Sequence, residues 1–181
     1  MAIASEPIRF TGDTKRMDHC VRGLGSRVVL IEYGDFACER SAWASSMVKG
    51  IRRHYAQEVA FVFRHYPRID LHPFAVAAAQ ACEAADLQGG FWKLHDALFE
   101  QPRPLDPVEI LRSAAEVGLN VRRLRVDASS SVVRERIERD VSFGRAAGVV
   151  ATPTFFIKGA RYDGDLAPLG LADAVRGAVG R

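Results

Sequence analysis

The sequence predicts an α/β protein in which a mixed β-sheet flanked by helices is interrupted by an all-helical insertion. Short apolar runs rich in β-branched or aromatic residues, typical of buried strands, occur at 28–33, 59–63 and 154–157. Between the second and third runs, helical patterns continue from about residue 72 to residue 147. The chain has 181 residues, 48% of them hydrophobic, which is enough for a core that carries such an insertion.

The first strand, residues 28–33, is followed by a helix that begins near residue 39. The predicted apolar face of this helix repeats every four residues and comprises Trp43, Met47, Ile51 and Tyr55. Because a strand, a helix and a second strand follow one another directly, the two strands should pair in parallel.

The predicted insertion covers residues 69–147 and divides the sheet domain into two parts, 27–68 and 148–181. His72-Pro73 opens its first helix, with proline in the first turn. Residues 1–26 are polar and lack periodicity, so we expect a loose N-terminal extension.

Further local signals complete the predicted elements. Asp106 before Pro107 is typical of a helix N-terminus, and Gly148 ends the last helix of the insertion. Lys158-Gly159 predicts a tight turn between two antiparallel strands, and residues 168–179 form a closing amphipathic helix.

The composition argues against several classes of function. The 25 basic and 22 acidic residues give a net charge of +3, too small to indicate binding to nucleic acid or an anionic membrane. The arginines between residues 122 and 139 alternate with acidic residues, which indicates a solvated helix face. Because no apolar stretch reaches roughly 18 residues and residues 1–20 contain no signal-peptide core, we expect a cytoplasmic protein with no membrane partner.

The three cysteines are Cys20, Cys38 and Cys82. None forms a C-x-x-C pair or a zinc-binding spacing, so we expect reduced thiols and no metal site. Cys38 stands where the first strand turns into a helix, and there unpaired backbone N–H groups and the helix dipole favour a thiolate. Arg40 supports this charge and Glu39 opposes it. The alternative is that Cys38 only fills space at a tight junction.

Two further positions are unusual for buried strands. Pro153 directly precedes a strand, where it removes a hydrogen-bond donor; a cis bond after Thr152 accommodates it, and the alternative is a trans proline that starts an edge strand. Glu32 lies within an apolar strand, where a carboxylate is costly unless it is neutral or paired. Either Glu32 is buried in the layer of Cys38 and relays protons, or it lies at a solvated sheet edge.

These residues resemble proteins of the DsbA type, which are thiol–disulfide oxidoreductases with a thioredoxin fold. The resemblance runs from about Asp18 to near the C-terminus and depends on the order and spacing of five motifs: Gly34-Asp35-Phe36-x-Cys38, Phe63-Arg-His-Tyr-Pro67, His72-Pro73, Gly90-Phe-Trp-x-x-His95-Asp and Gly148-Val-x-x-Thr152-Pro-Thr-Phe-Phe-Ile157. It implies a thioredoxin fold with an inserted helical domain. It also implies that Cys38 is the exposed nucleophile and that Thr152 and Pro153 face its sulfur. Glu32 aligns with the family's buried acid.

The chain departs from the DsbA pattern in Cys38-Glu39-Arg40-Ser41, where the family has Cys-Pro-x-Cys. With Ser41 in place of the resolving cysteine, no disulfide forms within the motif. Cys20 should lie near the opposite end of the first strand, roughly 26 Å away and outside disulfide reach. Cys82 lies on an apolar helix face, where a buried, inert thiol is expected. Ser41 is placed one helical turn on, to donate a hydrogen bond to the thiolate.

The sequence therefore predicts a DsbA-like oxidoreductase that acts through one cysteine. Cys38 attacks a mixed disulfide, and an external thiol such as glutathione, a co-substrate rather than a bound cofactor, resolves it. The same thiolate can isomerise disulfides or pass through a sulfenic acid. The partners are protein or small-molecule thiols and disulfides, and Glu39 and Arg40 are expected to contact them with Thr152 and Pro153.

Two other functions stay open at this stage. The first is a redox-inactive thioredoxin-fold module that binds peptides or partner proteins. The second is a glutathione-dependent transferase or peroxidase on the same scaffold. The histidines show no metal-like spacing, so His54, His65, His72 and His95 are predicted to be structural and His19 to be solvated.

Overall fold

A computed structural model describes residues 18–21, 26–101, 105–166 and 169–180. The strands in these residues are β1 (His19–Val21), β2 (Val28–Gly34), β3 (Val59–His65), β4 (Thr154–Ile157) and β5 (Ala160–Tyr162). They form one sheet with the order β1-β3-β2-β4-β5. β2 and β3 run parallel, as predicted, and the other neighbouring strands are antiparallel.

The helices of the described residues are α1 (Glu39–His54), α2 (Ala75–Asp86), α3 (Phe91–Glu100), α4 (Pro107–Glu116), α5 (Val121–Asp127), α6 (Ser131–Ala146) and α7 (Gly170–Val179). α1 connects the parallel strands β2 and β3. The helices α2 to α6 all lie between β3 and β4 in the chain, so the predicted mixed sheet with a helical insertion is confirmed.

The sheet is buried on both faces, which explains why β2 and β3 are almost entirely apolar. Leu30 and Phe61 belong to a large core that includes α1, α7 and the insertion. Ile31 and Val62 point to the opposite face and belong to a smaller core with Tyr66. Because successive side chains alternate between faces, each strand contributes to both cores.

The local signals lie where the sequence places them. The Asp106 carboxylate accepts hydrogen bonds from the backbone N–H groups of Val108 and Glu109 and so caps α4. Gly148 follows α6 with a φ of 77°, and Lys158-Gly159 turns the chain between β4 and β5 with φ values of 50° and 81°. All three residues are in the left-handed region, which favours glycine, and two of them, Gly148 and Gly159, are glycines.

The loose extension predicted for residues 1–26 is wrong for the three residues that form β1; residues 1–17 and 22–25 lie outside the described part. His19 is buried rather than solvated, and its Nε2 atom lies 2.7 Å from Oε1 of Glu83. Cys20 pairs with Val62, which in turn pairs with Ile31. Cys20 therefore lies level with the middle of β2 and not, as the sequence predicted, near its far end.

The predicted apolar face of α1 also needs correction. The helix buries a face made of small and medium side chains: Ser41, Ala44, Ser45, Val48 and Ile51. Trp43 is 47% exposed and, with Met47 and Tyr55, lines a groove between α1 and α7. The small residues let the helix approach the sheet closely, which the bulky indole of Trp43 would prevent.

Two helix glycines provide a matched test of packing. A Cβ atom at Gly144 in α6 would lie 2.8 Å from the Tyr66 ring, whereas one at Gly50 in α1 would meet nothing within 4 Å. We expect Gly144→Ala to lower the free energy of unfolding by about 1–3 kcal/mol through overpacking. Gly50→Ala should raise it by about 0.5–1 kcal/mol through helix propensity. Urea denaturation measures both changes, and equal effects would contradict the packing at Gly144.

Candidate active site

Cys38 occupies the N-cap position of α1, with φ −87° and ψ 120°. Its backbone N–H donates to the carbonyl of Asp35 at 3.1 Å, and its own carbonyl accepts from Ala42 at 3.0 Å. The thiol donates to the carbonyl of Thr152 at 3.3 Å. The residue is 8% exposed, so little of it is open to a reacting group. The predicted position at the start of the helix is correct, but the cysteine is less exposed than the DsbA resemblance implies.

The segment that faces Cys38 is positioned by the pairing of β4 with β2. Tyr33 pairs with Thr154, which brings the two residues before Thr154 to the end of β2 that leads to Cys38. The Thr152–Pro153 peptide bond is cis, and both residues are buried. Thr154 donates through its hydroxyl to the carbonyl of Ala151 at 2.6 Å, which tightens the turn. Pro153 thus lies at the start of an interior strand rather than an edge strand.

Asp35 connects the segments around Cys38, and sequence reasoning did not identify it as a site residue. Asp35 is 2% exposed. Its carboxylate accepts hydrogen bonds from the backbone N–H groups of Ala37 at 2.8 Å and Arg68 at 2.9 Å. The Nδ1 atom of His72 lies 2.7 Å from the same carboxylate. Together with its carbonyl bond to Cys38, Asp35 therefore fixes the turn before α1 and the loop after β3.

Arg68 extends this connection to the segment before Pro153. Its guanidinium donates to the carbonyl of Val150 at 2.6 Å and pairs with the carboxylate of Asp70 at 2.7 Å. The loop after β3 is thereby hydrogen-bonded both to Asp35, in the turn before α1, and to Val150, in the segment before Pro153. An acid directly after a strand and the His72-Pro73 pair are the signals in the sequence that point to these residues.

The predicted site residues next to Cys38 in the chain lie on different sides of α1. Ser41 is fully buried, and its hydroxyl oxygen accepts from the N–H of Asp35 at 3.4 Å, a contact that stabilises the turn rather than the sulfur. Glu39 and Arg40 are exposed in the first turn of the helix. Only these two side chains of the four-residue motif are freely accessible to a partner.

Glu32 lies in β2, the central strand, and is 1% exposed. The solvated-edge alternative is therefore wrong. Its Oε1 atom makes no hydrogen bond to the residues that the structure describes, and burial raises the pKa of its carboxyl to about 8. A Cβ atom at Gly34 would lie 3.1 Å from this oxygen, so the acid occupies the space beneath the end of β2.

The other cysteines do not join this site. Cys82 is fully buried in α2, where its thiol donates to the carbonyl of Phe91 at 3.7 Å and burial raises its pKa well above the usual value. Cys20 lies in β1, two strands from β2, and all three cysteines are free thiols. His95 is also buried among aromatic rings, and burial lowers its pKa to about 4, consistent with a structural role.

Comparison with known proteins agrees with this architecture. Residues 21–176 match the family model described as Thioredoxin. A thioredoxin-like oxidoreductase from Silicibacter pomeroyi superposes with a TM-score of 0.81 at 27% identity, covering 91% of this chain and 93% of that one. Oxidised BdbD from Bacillus subtilis superposes with a TM-score of 0.79 at 17% identity, covering 91% and 94%. The predicted thioredoxin fold and the resemblance to DsbA-type proteins are confirmed.

Curated relatives align with a smaller share of their own length. The Na(+)/H(+) antiporter NhaA of Herminiimonas arsenicoxydans is 38% identical over 148 residues, and NhaA 3 of Salinispora tropica is 37% identical over 147 residues. These alignments cover 82% and 81% of this chain but 23% and 22% of the relatives, so the chain spans about a quarter of their length. Among the described helices, none combines the length and apolar character needed to cross a membrane.

Asp35 and Glu32 each generate a testable prediction. Replacing Asp35 by Asn puts an N–H₂ group against the donors of Arg68 and His72. We expect Asp35→Asn to lower the free energy of unfolding by about 2–3 kcal/mol, because hydrogen bonds to a charged, buried acceptor are lost. Asp70→Asn, at the exposed partner of Arg68, is the control and should cost much less in the same urea titration. Equal losses would show that Asp35 does not hold the loops together.

Glu32 should make the stability depend on pH. Because its pKa rises from 4.5 to about 8 on folding, the folded protein keeps a proton that the unfolded chain releases between these values. The free energy of unfolding should therefore fall as the pH rises from about 5 to 8, by about 1.4 kcal/mol per pH unit from this group. Glu32→Gln should remove this slope, whereas Glu58→Gln, at an exposed position, should retain it. An unchanged slope in Glu32→Gln would contradict the assignment.

Proposed function

This chain belongs to the thioredoxin family, and we propose that it catalyses thiol–disulfide exchange through a single nucleophile, the thiolate of Cys38. The observation that carries the proposal is the position of Cys38: the residue stands at the N-cap of α1, and its sulfur lies 3.3 Å from the carbonyl of Thr152, directly before Pro153. A thiolate at this point is stabilised by the free N–H groups and the dipole of the helix.

The proposed reaction has two exchange steps. The Cys38 thiolate attacks one sulfur of a disulfide between a substrate thiol and glutathione, and the substrate leaves as a thiolate while glutathione stays bonded to Cys38. A second glutathione thiolate then attacks the glutathione sulfur, forms glutathione disulfide and restores the Cys38 thiolate. Ser41 cannot perform the second step because it carries no sulfur, which is why an external thiol is required.

The surrounding residues support these steps in different ways. Thr152 offers its carbonyl beside the sulfur and, with Pro153, forms the surface against which an incoming disulfide aligns. Glu39 and Arg40 are the accessible side chains of the motif. In this proposal they contact the substrate. Glu32 is held protonated at neutral pH by burial and can exchange its proton as the sulfur changes charge. Ser41 keeps the turn before α1 in place.

The low exposure of Cys38 favours a second candidate function, a redox-inactive module that binds peptides or partner proteins. A cysteine that is 8% exposed presents little surface for a linear attack on a disulfide. In this case the surface beside Pro153 captures an extended partner, and the cysteine only fills the junction between β2 and α1.

Turnover of a glutathione mixed disulfide distinguishes the two functions. We expect the wild-type protein to reduce a glutathionylated peptide with glutathione as the electron donor, and Cys38→Ser to lose at least ~100-fold of the rate. Cys20→Ser and Cys82→Ser are the matched controls and should retain it. Mass spectrometry should detect the Cys38–glutathione intermediate. Equal rates for wild type and Cys38→Ser would rule out the exchange activity and leave the binding module.

Restoring the second cysteine tests the proposed role of the external thiol. Ser41→Cys places two thiols one helical turn apart, and we expect it to form an internal disulfide. The glutathione mixed disulfide on Cys38 should then be short-lived, because resolution becomes intramolecular. A Ser45→Cys variant, also buried on α1 but a further turn away, is the control.

A further inference from the structure

A cluster of metal-binding side chains lies outside the cysteine site, where β1, β3 and α2 meet. Nε2 of His19 and Nε2 of His65 lie 2.7 Å and 2.8 Å from Oε1 of Glu83. The three ligand atoms all lie within 4.8 Å of one another, and all three residues are buried. We propose that His19, His65 and Glu83 bind a Zn²⁺ ion that joins the first strand and the insertion to the sheet.

The donor set fits zinc better than other common divalent ions. Two imidazole nitrogens and one carboxylate oxygen match the ligands of zinc sites that keep a fourth position for water, whereas Mg²⁺ and Ca²⁺ prefer oxygen ligands only. Zinc–ligand distances of about 2.0–2.2 Å place neighbouring ligand atoms roughly 3.3 Å apart. Shifts of about half an ångström would bring the two distances between Glu83 and the histidine nitrogens to this spacing, and the three ligand atoms already lie within 4.8 Å of one another.

A second observation points to a ligand between these side chains. Nε2 of His65 is buried and lies 2.8 Å from Glu83, but it does not form a hydrogen bond of acceptable geometry with any described residue. The backbone of His65 is fixed by its N–H group, which donates to the Asp140 carboxylate at 3.0 Å. Nε2 of His65 thus faces the Glu83 carboxylate within the cluster, as expected for a ligand atom.

The cluster is also accessible from solvent. A cavity of about 360 Å³ adjoins it and is lined by His19, Cys20, Glu83, Asp86, Trp92 and Arg136 among others. This cavity provides an entry path for the ion and space for a water molecule as the fourth ligand.

The charges around the cluster match a divalent cation. Arg136 lies 3.5 Å from the Glu83 carboxylate and alone would oppose a metal, but Asp140 lies 3.3 Å from the same guanidinium. Asp86 lies 3.8 Å from Nδ1 of His19, on the side where the outer partners of zinc-binding histidines are found. The three carboxylates of Glu83, Asp86 and Asp140 outnumber the one guanidinium of Arg136, which favours a bound cation.

Zinc titration of the untagged, full-length chain tests the proposal independently of thiol chemistry. The background carries Cys20→Ser and Cys38→Ser, so that no accessible thiol competes for the metal. Competition with a chromophoric chelator should show one bound Zn²⁺, and Co²⁺ should give the visible absorption of a tetrahedral site. His19→Ala and Glu83→Gln should each weaken binding at least ~100-fold. His54→Ala, at an exposed histidine of α1, should bind as tightly as the background.

The outcomes separate binding from folding. Circular dichroism verifies that each variant is folded, and His19→Gln replaces His19→Ala if the alanine variant is not. The proposal is overturned if the background protein binds no Zn²⁺, or if His19→Ala and His54→Ala bind it equally well. Both results leave the exchange activity of Cys38 untouched, because that activity is measured in the chain with its cysteines intact.

Discussion

The pairing of β2 with β3 on one side and with β4 on the other is the interaction on which the rest of the structure depends. The parallel pair β2 and β3 ends at one sheet edge, and the antiparallel strand β4 begins at that edge. Three segments therefore converge there: the turn to Cys38, the loop with Arg68 and the residues before Pro153. The Cys38 thiol thereby contacts the carbonyl of Thr152, 114 residues away in the chain.

Two carboxylates near this end of β2, Asp35 and Glu32, show how local polarity decides the state of a buried acid. Asp35 lies in a turn where backbone N–H groups are free to donate, so its oxygens are surrounded by donors and bind separate loops together. Glu32 lies three residues earlier, in a strand whose N–H groups are committed to the sheet. It therefore keeps its proton. The first acid organises the site through fixed hydrogen bonds, and the second stays neutral because burial raises its pKa.

Features set by local sequence could be predicted, and features set by contacts between distant elements could not. The apolar runs predict β2, β3 and β4, and the break before Cys38 predicts its place at a helix end. The strand β1 could not be predicted in this way, because a three-residue strand in a polar segment shows no detectable periodicity. The cluster of His19 and Glu83 was missed for the same reason, since its members lie 64 residues apart and come together only through that strand.

Serine at position 41 changes the balance between the two steps of the proposed exchange. A second cysteine in the motif would attack the mixed disulfide at the high effective concentration of an intramolecular reaction. Without a second cysteine, release of the group bonded to Cys38 depends on the concentration of an external thiol. It also depends on the access of that thiol to the mixed disulfide, because Cys38 is only 8% exposed. A small, abundant thiol meets both requirements more readily than a bulky protein thiol. The burial of Cys38 is thus one reason for proposing glutathione as the thiol that completes the cycle.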